Sequence, residues 1–265
     1  MSKDERAVHS PHGALRALRE RTEARIALGR SGAGVPTRAA QRFLLDHARA
    51  REAVWSALDA GQLSQAIARH GFALEAAVSA ATTRAEYLRR PDLGRRLSAE
   101  SRRHLASLGS ASDVVAVVAD GLSATAVQLN AAPLLAVLKP RFDAAGLSVG
   151  PVVLASQARV ALGDEIGHAL GAKAVLVLVG ERPGLSASDS LGVYITYGPE
   201  PGLPDSRRNC ISNIRAGGLN HAAAAEQIFG LLQRMLVHKT SGVMLGDEAS
   251  IAAALAASDR PPGST

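Results

Sequence analysis

Continuous apolar runs mark the second half of the chain. They are DVVAVVADGLS (113–123), VGPVVLAS (149–156) and KAVLVLVGERPG (173–184), and the first and third end in a glycine turn. Unbroken Val/Leu/Ile runs of this length are typical of parallel strands buried on both faces. Because segments of helical period separate them, the pattern predicts a doubly wound α/β arrangement.

Apolar residues at helical spacing predict the elements around these runs. NAAPLLAVLKPRFDAAG (130–146) is predicted to be a helix that contains Pro140, and GDEIGHALGA (163–172) a shorter one. LGVYITYG (191–198) adds a strand, and LNHAAAAEQIFGLLQRMLVHKTSG (219–242) a long closing helix. Helices are therefore expected on both faces of the sheet.

The first half has a helical period, with one ambiguous stretch. Apolar spacing predicts one helix within residues 10–28 and a second after Thr37, whose side chain is the expected N-cap. GRSGAGVPT (29–37) is predicted to be a loop because of its glycines and proline. Residues 71–90 combine helical and strand features, and both alternatives stay open.

These patterns predict the fold class α/β, with a helical N-terminal region followed by a doubly wound, Rossmann-like, mostly parallel sheet. Three regions are expected along the chain: a helical, Arg-rich N-terminal region (1–110), an α/β domain (111–250) and a C-terminal tail (251–265). The last residues of the tail, SDRPPGST (258–265), are predicted to be disordered.

The composition is that of a globular protein. The 265 residues are 47% hydrophobic and 20% charged, enough for a substantial core. No apolar stretch approaches the roughly 20 residues of a membrane-spanning helix, and the first residues lack the apolar core of a secretory signal. Cys210 is the single cysteine, so an internal disulfide is excluded. We expect a cytoplasmic protein without a membrane partner.

The formal charge of +6 raises the question of nucleic acid. Residues 1–110 hold 19 Lys+Arg against 11 Asp+Glu, whereas residues 111–265 hold 11 against 13. Aromatic residues make up only 3%, too few for base-stacking platforms. The excess of arginine suits protein interfaces equally well. We therefore expect the basic half to dock a protein partner, and no nucleic acid.

Polar residues on glycine turns follow two of the predicted strands. Asp120-Gly121-Leu122-Ser123 follows the first, and Gly180-Glu181-Arg182-Pro183-Gly184 follows the third. In open parallel sheets, ligands bind at the carboxyl ends of strands. Glycine permits the sharp turn, and proline restricts it. The side chains Asp120, Ser123, Glu181 and Arg182 are thus candidates for a ligand site.

No self-sufficient catalytic constellation is present in the sequence. It contains no G-x-G-x-x-G after a strand, no G-x-x-x-x-G-K-[ST], no G-x-S-x-G elbow and no His/Cys spacing typical of a metal site. We expect no catalytic residue and no metal ligand in this chain.

Each candidate also has a structural interpretation. Glu181 and Arg182 would then form an ion pair, Asp120 would cap the following helix, and Cys210 would be a small buried apolar residue. The turn RRPDLGRR (89–96) is either a solvated basic turn or a docking surface, and the sequence leaves both open.

Several motifs together resemble the small (light) subunit of ethanolamine ammonia-lyase. They cover most of the chain in order: ARIALGRSGAGVPTRAAQRFLLDHARA (24–50), RPDLGRRLSAES (90–101), DGLSATAV (120–127), GDEIGHALGAKAVLVLVGERPGLSASDSL (163–191), NCISNI (209–214) and HKTSGVML (238–245). The combination of VGERPGL with SDSL and CISNI is the most specific part.

The resemblance implies a lyase subunit that uses adenosylcobalamin. It implies a hetero-oligomer in which a TIM-barrel large subunit binds ethanolamine, the small subunit clamps the cobalamin at their interface, and the products are acetaldehyde and ammonia. The family's cobalamin contacts fall on Val160, Glu181 and Cys210. Charge reversal at Arg95 and Arg96 is expected to weaken docking of the large subunit.

Two further expectations follow from the resemblance. The sequence lacks the D-x-H-x-x-G motif that supplies a histidine to cobalt in another cobalamin class, so the cofactor is expected to bind base-on. The short polar stretch before the first helix is not the N-terminal targeting helix of members that enter a bacterial microcompartment. A stand-alone, small-molecule-binding α/β regulatory protein is the alternative to the lyase subunit.

Overall fold

The structure is a computed structural model, and it describes residues 18, 21–22, 24–30, 32–109 and 111–245. The helices within this part are α1 (Thr37–Trp55), α2 (Ala60–Ala68), α3 (Arg84–Arg89), α4 (Ala99–Leu108), α5 (Ala124–Ala144), α6 (Leu162–Ala169) and α7 (His221–His238). The strands are β1 (Leu74–Val78), β2 (Val114–Ala119), β3 (Val152–Ser156), β4 (Ala174–Gly180), β5 (Leu191–Tyr197) and β6 (Asn209–Ile214). Two short 3-10 turns cover Leu93–Arg95 and Asp205–Arg207.

The strands form one sheet in the order β1-β3-β2-β4-β5-β6. The first four are parallel, and Val117 of β2 pairs with Val153 of β3 and with Val177 of β4. Strands β5 and β6 run antiparallel to their neighbours β4 and β5. The mostly parallel, Rossmann-like sheet predicted from the sequence is thus confirmed.

The sheet is covered on both faces, which explains its continuous apolar strands. Every residue of β2 and β4 is buried. Alternate side chains of these strands pack against α2, α5 and α7 on one face and against α4 and α6 on the other. The chain passes from β2 to β3 through α5 and from β3 to β4 through α6. Because these connections cross opposite faces, β2 and β4 flank the switch point, where open α/β sheets bind ligands.

The region before residue 110 is helical but also supplies a strand. The ambiguous segment 71–90 forms β1 and α3, and β1 pairs with β3, for example Ala76 with Leu154. The predicted boundary at residue 110 therefore separates sequence regions that share one sheet, and it stays a prediction. The tail 251–265 lies outside the described residues.

Two predictions about the N-terminal region are wrong. Residues 24–30 are not helical. The Arg25 guanidinium instead donates hydrogen bonds to distant groups, the Asp46 carboxylate at 2.6 Å and the Leu185 carbonyl at 3.0 Å. Helix α1 begins at Thr37 with Pro36 as its N-cap and no side-chain capping bond, so Thr37 is not the cap. Proline in this place fixes φ but accepts no side-chain bond. Residues 1–17, which hold the start of the other predicted helix, lie outside the described residues.

Within the described part of the chain, no helix has both the length and the apolar character that crossing a bilayer requires.

Candidate functional site

The turns after β2 and β4 interlock through their backbones. Gly121 has φ +56°, and a Cβ there would lie 2.3 Å from the Gly180 carbonyl oxygen. A Cβ on Gly180 would lie 2.0 Å from the Ser123 carbonyl oxygen. The Leu122 N–H donates to the Gly180 carbonyl oxygen at 2.9 Å. Glycine is required at both positions because the two backbones approach too closely for a side chain.

Ser123, and not Asp120, caps helix α5. The Ser123 hydroxyl oxygen accepts from the Ala126 N–H at 3.1 Å, and the hydroxyl donates to the Ser188 carbonyl. This is the geometry of an N-cap side chain, which reaches the N–H three residues on. The interpretation of Asp120 as the cap is therefore wrong. Through Ser188 the cap also ties α5 to the loop that follows Glu181.

The buried Asp120 carboxylate instead joins the ends of β2 and β3. It accepts from the backbone N–H groups of Gln157 and Ala158, both at 3.0 Å, and from Arg84 at 3.4 Å. Burial raises the pKa of Asp120, and the two N–H donors oppose that rise. Gln157 has φ +55°, a conformation that non-glycine residues seldom adopt. Asp120 thus fixes the loop that leads to Val160.

Tyr87 fixes the same loop from its other side. Its hydroxyl donates to the Ala158 carbonyl at 3.1 Å, and the Arg159 guanidinium lies over its ring at 4.4 Å. Burial raises the pKa of Tyr87 to about 12, so this donor keeps its proton. The motif RPDLGRR packs against Tyr87 and Arg159 because Gly94 has no side chain. A Cβ on Gly94 would lie 2.9 Å from both of them.

Glu181 is held against the face of the sheet. Its N–H donates to the Ser190 carbonyl at 3.0 Å, and the Ser190 hydroxyl donates to Oε2 at 2.5 Å. The other oxygen, Oε1, lies over Gly192, where a Cβ would approach it to 2.8 Å. Arg182 is exposed and forms no ion pair with Glu181 in the described part of the chain. The ion-pair interpretation is therefore not what the structure shows.

Cys210 lies beside this carboxylate on β6. It is in register with Tyr194 of β5, and the thiol and the phenol are hydrogen-bonded. Desolvation and the nearby Glu181 carboxylate raise the pKa of Cys210, against the effect of Tyr194. The side chain is exposed rather than a buried apolar residue. Because the thiol stays neutral near pH 7, it is a weak nucleophile and suits packing better than chemistry.

Val160 lines a cavity together with Tyr194. Both side chains are half-buried and pack against the same apolar cluster under α6. They line one cavity of about 340 Å³, and the full set of lining residues is Pro91, Arg95, Arg159, Val160, Ala161, Tyr194, Asp205 and Arg208. The residues predicted from the resemblance, two on connections between strands and one on β6, thus lie near Tyr194.

Tyr194 and Arg208 were not predicted as site residues. The alternation in LGVYITY places Tyr194 opposite the buried Val193 and Ile195, and this signal was available in the sequence. Arg208 directly precedes NCISNI and pairs with the buried Asp164, a contact that sequence spacing does not reveal.

A larger cavity of about 840 Å³ lies between α1 and the loop after Glu181. Charged side chains from both sides line it, among them Arg25, Asp46 and Asp189. None of Val160, Glu181 and Cys210 lines this cavity. Of these three residues, Val160 lines the smaller cavity.

The described residues contain no cluster of three or more His, Cys, Asp or Glu side chains that could hold a metal ion. The geometry offers a carboxylate acceptor at Glu181 Oε1 and, around the smaller cavity, an apolar contact at Val160 and arginine donors. Polar side chains and a cavity at the carboxyl ends of the strands of an open α/β sheet are typical of a ligand-binding protein.

Comparisons with known proteins agree with this description. The sequence profile of the ethanolamine ammonia-lyase light chain family matches residues 12–246. A protein of Rhodopseudomonas palustris strain BisA53, named ethanolamine ammonia-lyase small subunit, is 50% identical over 258 residues, covering 97% of each chain. Proteins of the same name from Bradyrhizobium diazoefficiens and Pseudomonas fluorescens strain SBW25 are 51% and 49% identical, covering 88% of this chain and 90% and 86% of their own.

The chain belongs to the ethanolamine ammonia-lyase light chain family. It is accordingly a subunit of a lyase.

Proposed function

We propose that this chain is the small subunit of an adenosylcobalamin-dependent ethanolamine ammonia-lyase, which converts ethanolamine to acetaldehyde and ammonia. In this proposal Val160, Glu181 and Cys210 hold the cobalamin at the interface with a TIM-barrel large subunit, and that subunit binds ethanolamine. The observation that carries the proposal is the gathering of these three residues around Tyr194, beside an open cavity.

The chemistry of these side chains fits the edge of a corrinoid, which is lined with amide groups. Glu181 Oε1 has no hydrogen-bond partner in the described part of the chain, and Gly192 leaves room beside it. A carboxylate in this place accepts an amide N–H. Val160 provides an apolar contact, and the neutral Cys210 thiol packs without reacting.

The size of the cavity supports a shared site. About 340 Å³ is near the lower end of the volumes of small-molecule sites, so it takes one edge of a corrinoid rather than the whole. The remaining contacts would then come from the large subunit. When bound, adenosylcobalamin supplies the radical chemistry. This chain's residues bind and orient the cofactor, and we assign no catalytic role to any of them.

The base-on state is part of the same proposal. The residues that line the described cavity include no histidine. The proposal rests on the absence of the D-x-H-x-x-G motif from the sequence.

The N-terminal region supplies a surface for the large subunit. Among the side chains of α1 only Ala53 is buried, whereas Phe43, Leu44 and Trp55 are 42%, 64% and 55% exposed. Exposed apolar residues on one helix, within a basic region, suit a partner with an apolar and acidic surface. Leu44→Asp should weaken association with the large subunit, whereas Val237→Asp, at a 75% exposed position of α7, should not.

The activity test compares the chain alone with the chain co-expressed with the large-subunit gene of the same genome. Acetaldehyde released from ethanolamine with adenosylcobalamin is the readout, and activity is expected only in the pair. Glu181→Gln should raise the apparent KM for the cofactor about tenfold, the effect of losing one charge-assisted hydrogen bond. The kcat should change little.

The control for Glu181→Gln is Glu200→Gln, at an exposed turn after β5, which should leave the KM unchanged. A stable but inactive pair would contradict the substrate assignment. The alternative, a stand-alone small-molecule-binding regulatory protein, requires no partner, so corrinoid binding by the chain alone at full affinity would favour it. A cytoplasmic location stays a prediction, and puncta formed by a fluorescent fusion of residues 1–30 would contradict it.

A further inference from the structure

The cavity beside Val160 carries more positive charge than its own carboxylates neutralise. Three arginines line it, Arg95, Arg159 and Arg208, together with one acidic residue, Asp205. This cavity is therefore electropositive next to a residue that the proposed function places against cobalamin.

One of the three guanidinium groups is already paired. Arg208 donates to the Asp164 and Asp205 carboxylates and to the Leu203 carbonyl. The other two, on Arg95 and Arg159, form no ion pair with any described residue. The Nε of Arg159 is buried and has no hydrogen-bond partner in the described part of the chain. A buried donor without an acceptor is unfavourable, so a bound acceptor would relieve its cost.

Arg159 is held in position before any ligand binds. Its backbone N–H donates to the Gly94 carbonyl at 2.8 Å, and its guanidinium lies 4.4 Å from the centre of the Tyr87 ring. Its Cγ occupies the space that a Cβ on Gly94 would fill. Its Nη2 also donates to the Tyr87 carbonyl at 3.5 Å. Arg95, which follows Gly94, lines the same cavity. Because Arg159 is already held in place, it loses little side-chain freedom when it binds an anion.

We infer that Arg95 and Arg159 form a subsite for the phosphodiester of cobalamin, an inference that rests on the proposed function. The peripheral arms of cobalamin are amides, and its nucleotide loop carries one negatively charged phosphodiester. Guanidinium groups match phosphate oxygens in charge and in geometry. A carboxylate of the large subunit has the same chemistry, and the experiment below separates these two sources.

The test uses two truncated corrinoids that differ only in the phosphate, cobinamide and cobinamide phosphate. Their dissociation constants are measured by equilibrium dialysis against the co-purified complex of both subunits. The wild-type complex should bind cobinamide phosphate about tenfold more tightly than cobinamide, the size of one charge-assisted hydrogen bond. Arg159→Gln and Arg95→Gln should each lower that ratio toward one.

Arg96→Gln is the matched control. Arg96 is exposed like Arg95 but does not line the cavity, so its substitution should keep the ratio. Arg95 is the safer of the two test positions, because replacing Arg159 also removes the packing on Tyr87. Glu181→Gln should weaken binding of both corrinoids and keep their ratio, which reports on the proposed function separately.

An unchanged ratio in both Arg95→Gln and Arg159→Gln overturns the subsite. If those variants instead weaken association of the subunits while the ratio stays the same, the guanidiniums pair with carboxylates of the partner, and the inference is wrong. Equal affinity of the wild-type complex for both corrinoids also overturns it, while leaving the proposed function intact. Failure of the complex to bind either corrinoid overturns both.

Discussion

Arg208 and Asp164 form an ion pair in which the two side chains are only 3% and 1% exposed. Arg208 directly precedes β6, two residues before Cys210, and Asp164 lies in the first turn of α6, four residues after Val160. This pair therefore sets the distance between two of the three proposed cofactor contacts. Burial raises the pKa of Asp164, while the Arg208 hydrogen bond opposes that rise.

Asp164→Asn should destabilise the protein strongly. It leaves the buried Arg208 with only the exposed Asp205 as an acidic partner, and breaking a buried pair on one side costs about 3 kcal/mol or more. The measurement is the free energy of unfolding in urea. The control is Asp143→Asn, which breaks a surface pair with Lys139 and should change that free energy by less than about 0.5 kcal/mol. Equal effects of the two substitutions would contradict the assignment.

Gly121→Ala separates the cost of a left-handed backbone from the cost of a clash. Gly121 and Gly146 have φ of +56° and +65°, but a Cβ meets the backbone at 2.3 Å at Gly121 and nothing within 4 Å at Gly146. Gly146→Ala should cost about 1 kcal/mol for the conformation alone. Gly121→Ala should cost at least about 3 kcal/mol, because the turn must also separate from β4. Similar unfolding midpoints for the two variants would exclude the interlock as a source of stability.

Gly192→Ala tests the space that the Glu181 carboxylate occupies. The new methyl group would come within 2.8 Å of Oε1 and displace it. We expect the assembled enzyme to show a cofactor KM about tenfold higher with a similar kcat. Gly230→Ala in α7, where a Cβ meets nothing within 4 Å, is the control and should leave both values unchanged. A loss of kcat at unchanged KM would argue against a binding role.

Lowering the pH should reduce the free energy of unfolding, partly through protonation of Asp113. Its carboxylate accepts from Lys173 and from the N–H and hydroxyl of Ser148, and these donors, Lys173 first, lower its pKa to about 2. The ordinary value is about 3.9, so the carboxylate stabilises the fold above that pH. This contribution is lost as the pH falls toward about 2.

Asp113→Asn should therefore narrow the difference between unfolding free energies measured at about pH 5 and about pH 3. The change should be at most about 1 kcal/mol, because solvent screens the exposed Lys173. Asp59→Asn, which removes the carboxylate N-cap of α2, is the comparison at a carboxylate that forms no ion pair with a described residue. An identical pH dependence in Asp113→Asn and the wild type would contradict the role of Asp113.

The sequence revealed those strands that are buried on both sides. Apart from Ser156 and Gly180 at their ends, strands β2, β3 and β4 consist of Val, Leu and Ala, because both faces of the sheet are covered. Strand β6 was not predicted, since at the edge of the sheet only two of its six residues are buried. The helix expected over 24–28 failed for another reason: the contacts of Arg25 with distant residues outweigh local helix propensity.

Some residues of the candidate site were also predictable from the sequence, and others were not. Glycine turns at strand ends are visible in a sequence, and they indicated Glu181 correctly as a residue at the rim of the sheet. Asp120 and Ser123 are both plausible caps by residue type, and only the three-dimensional path of the turn distinguishes them. Alternation along β5 marks the position of Tyr194, but its neighbours and those of Arg159 lie on other strands and helices, and no local pattern indicates them.

Tyr194 lies near Val160, Glu181 and Cys210, which are about 20 to 30 positions apart along the chain. A contiguous fragment that contains all three must run from residue 160 to residue 210, and the three come together only when the strands next to them have joined the sheet. If these residues hold the cofactor as proposed, its binding should be an all-or-none property of the chain. During synthesis, a nascent subunit whose last strand is still in the ribosome would then not bind the cofactor.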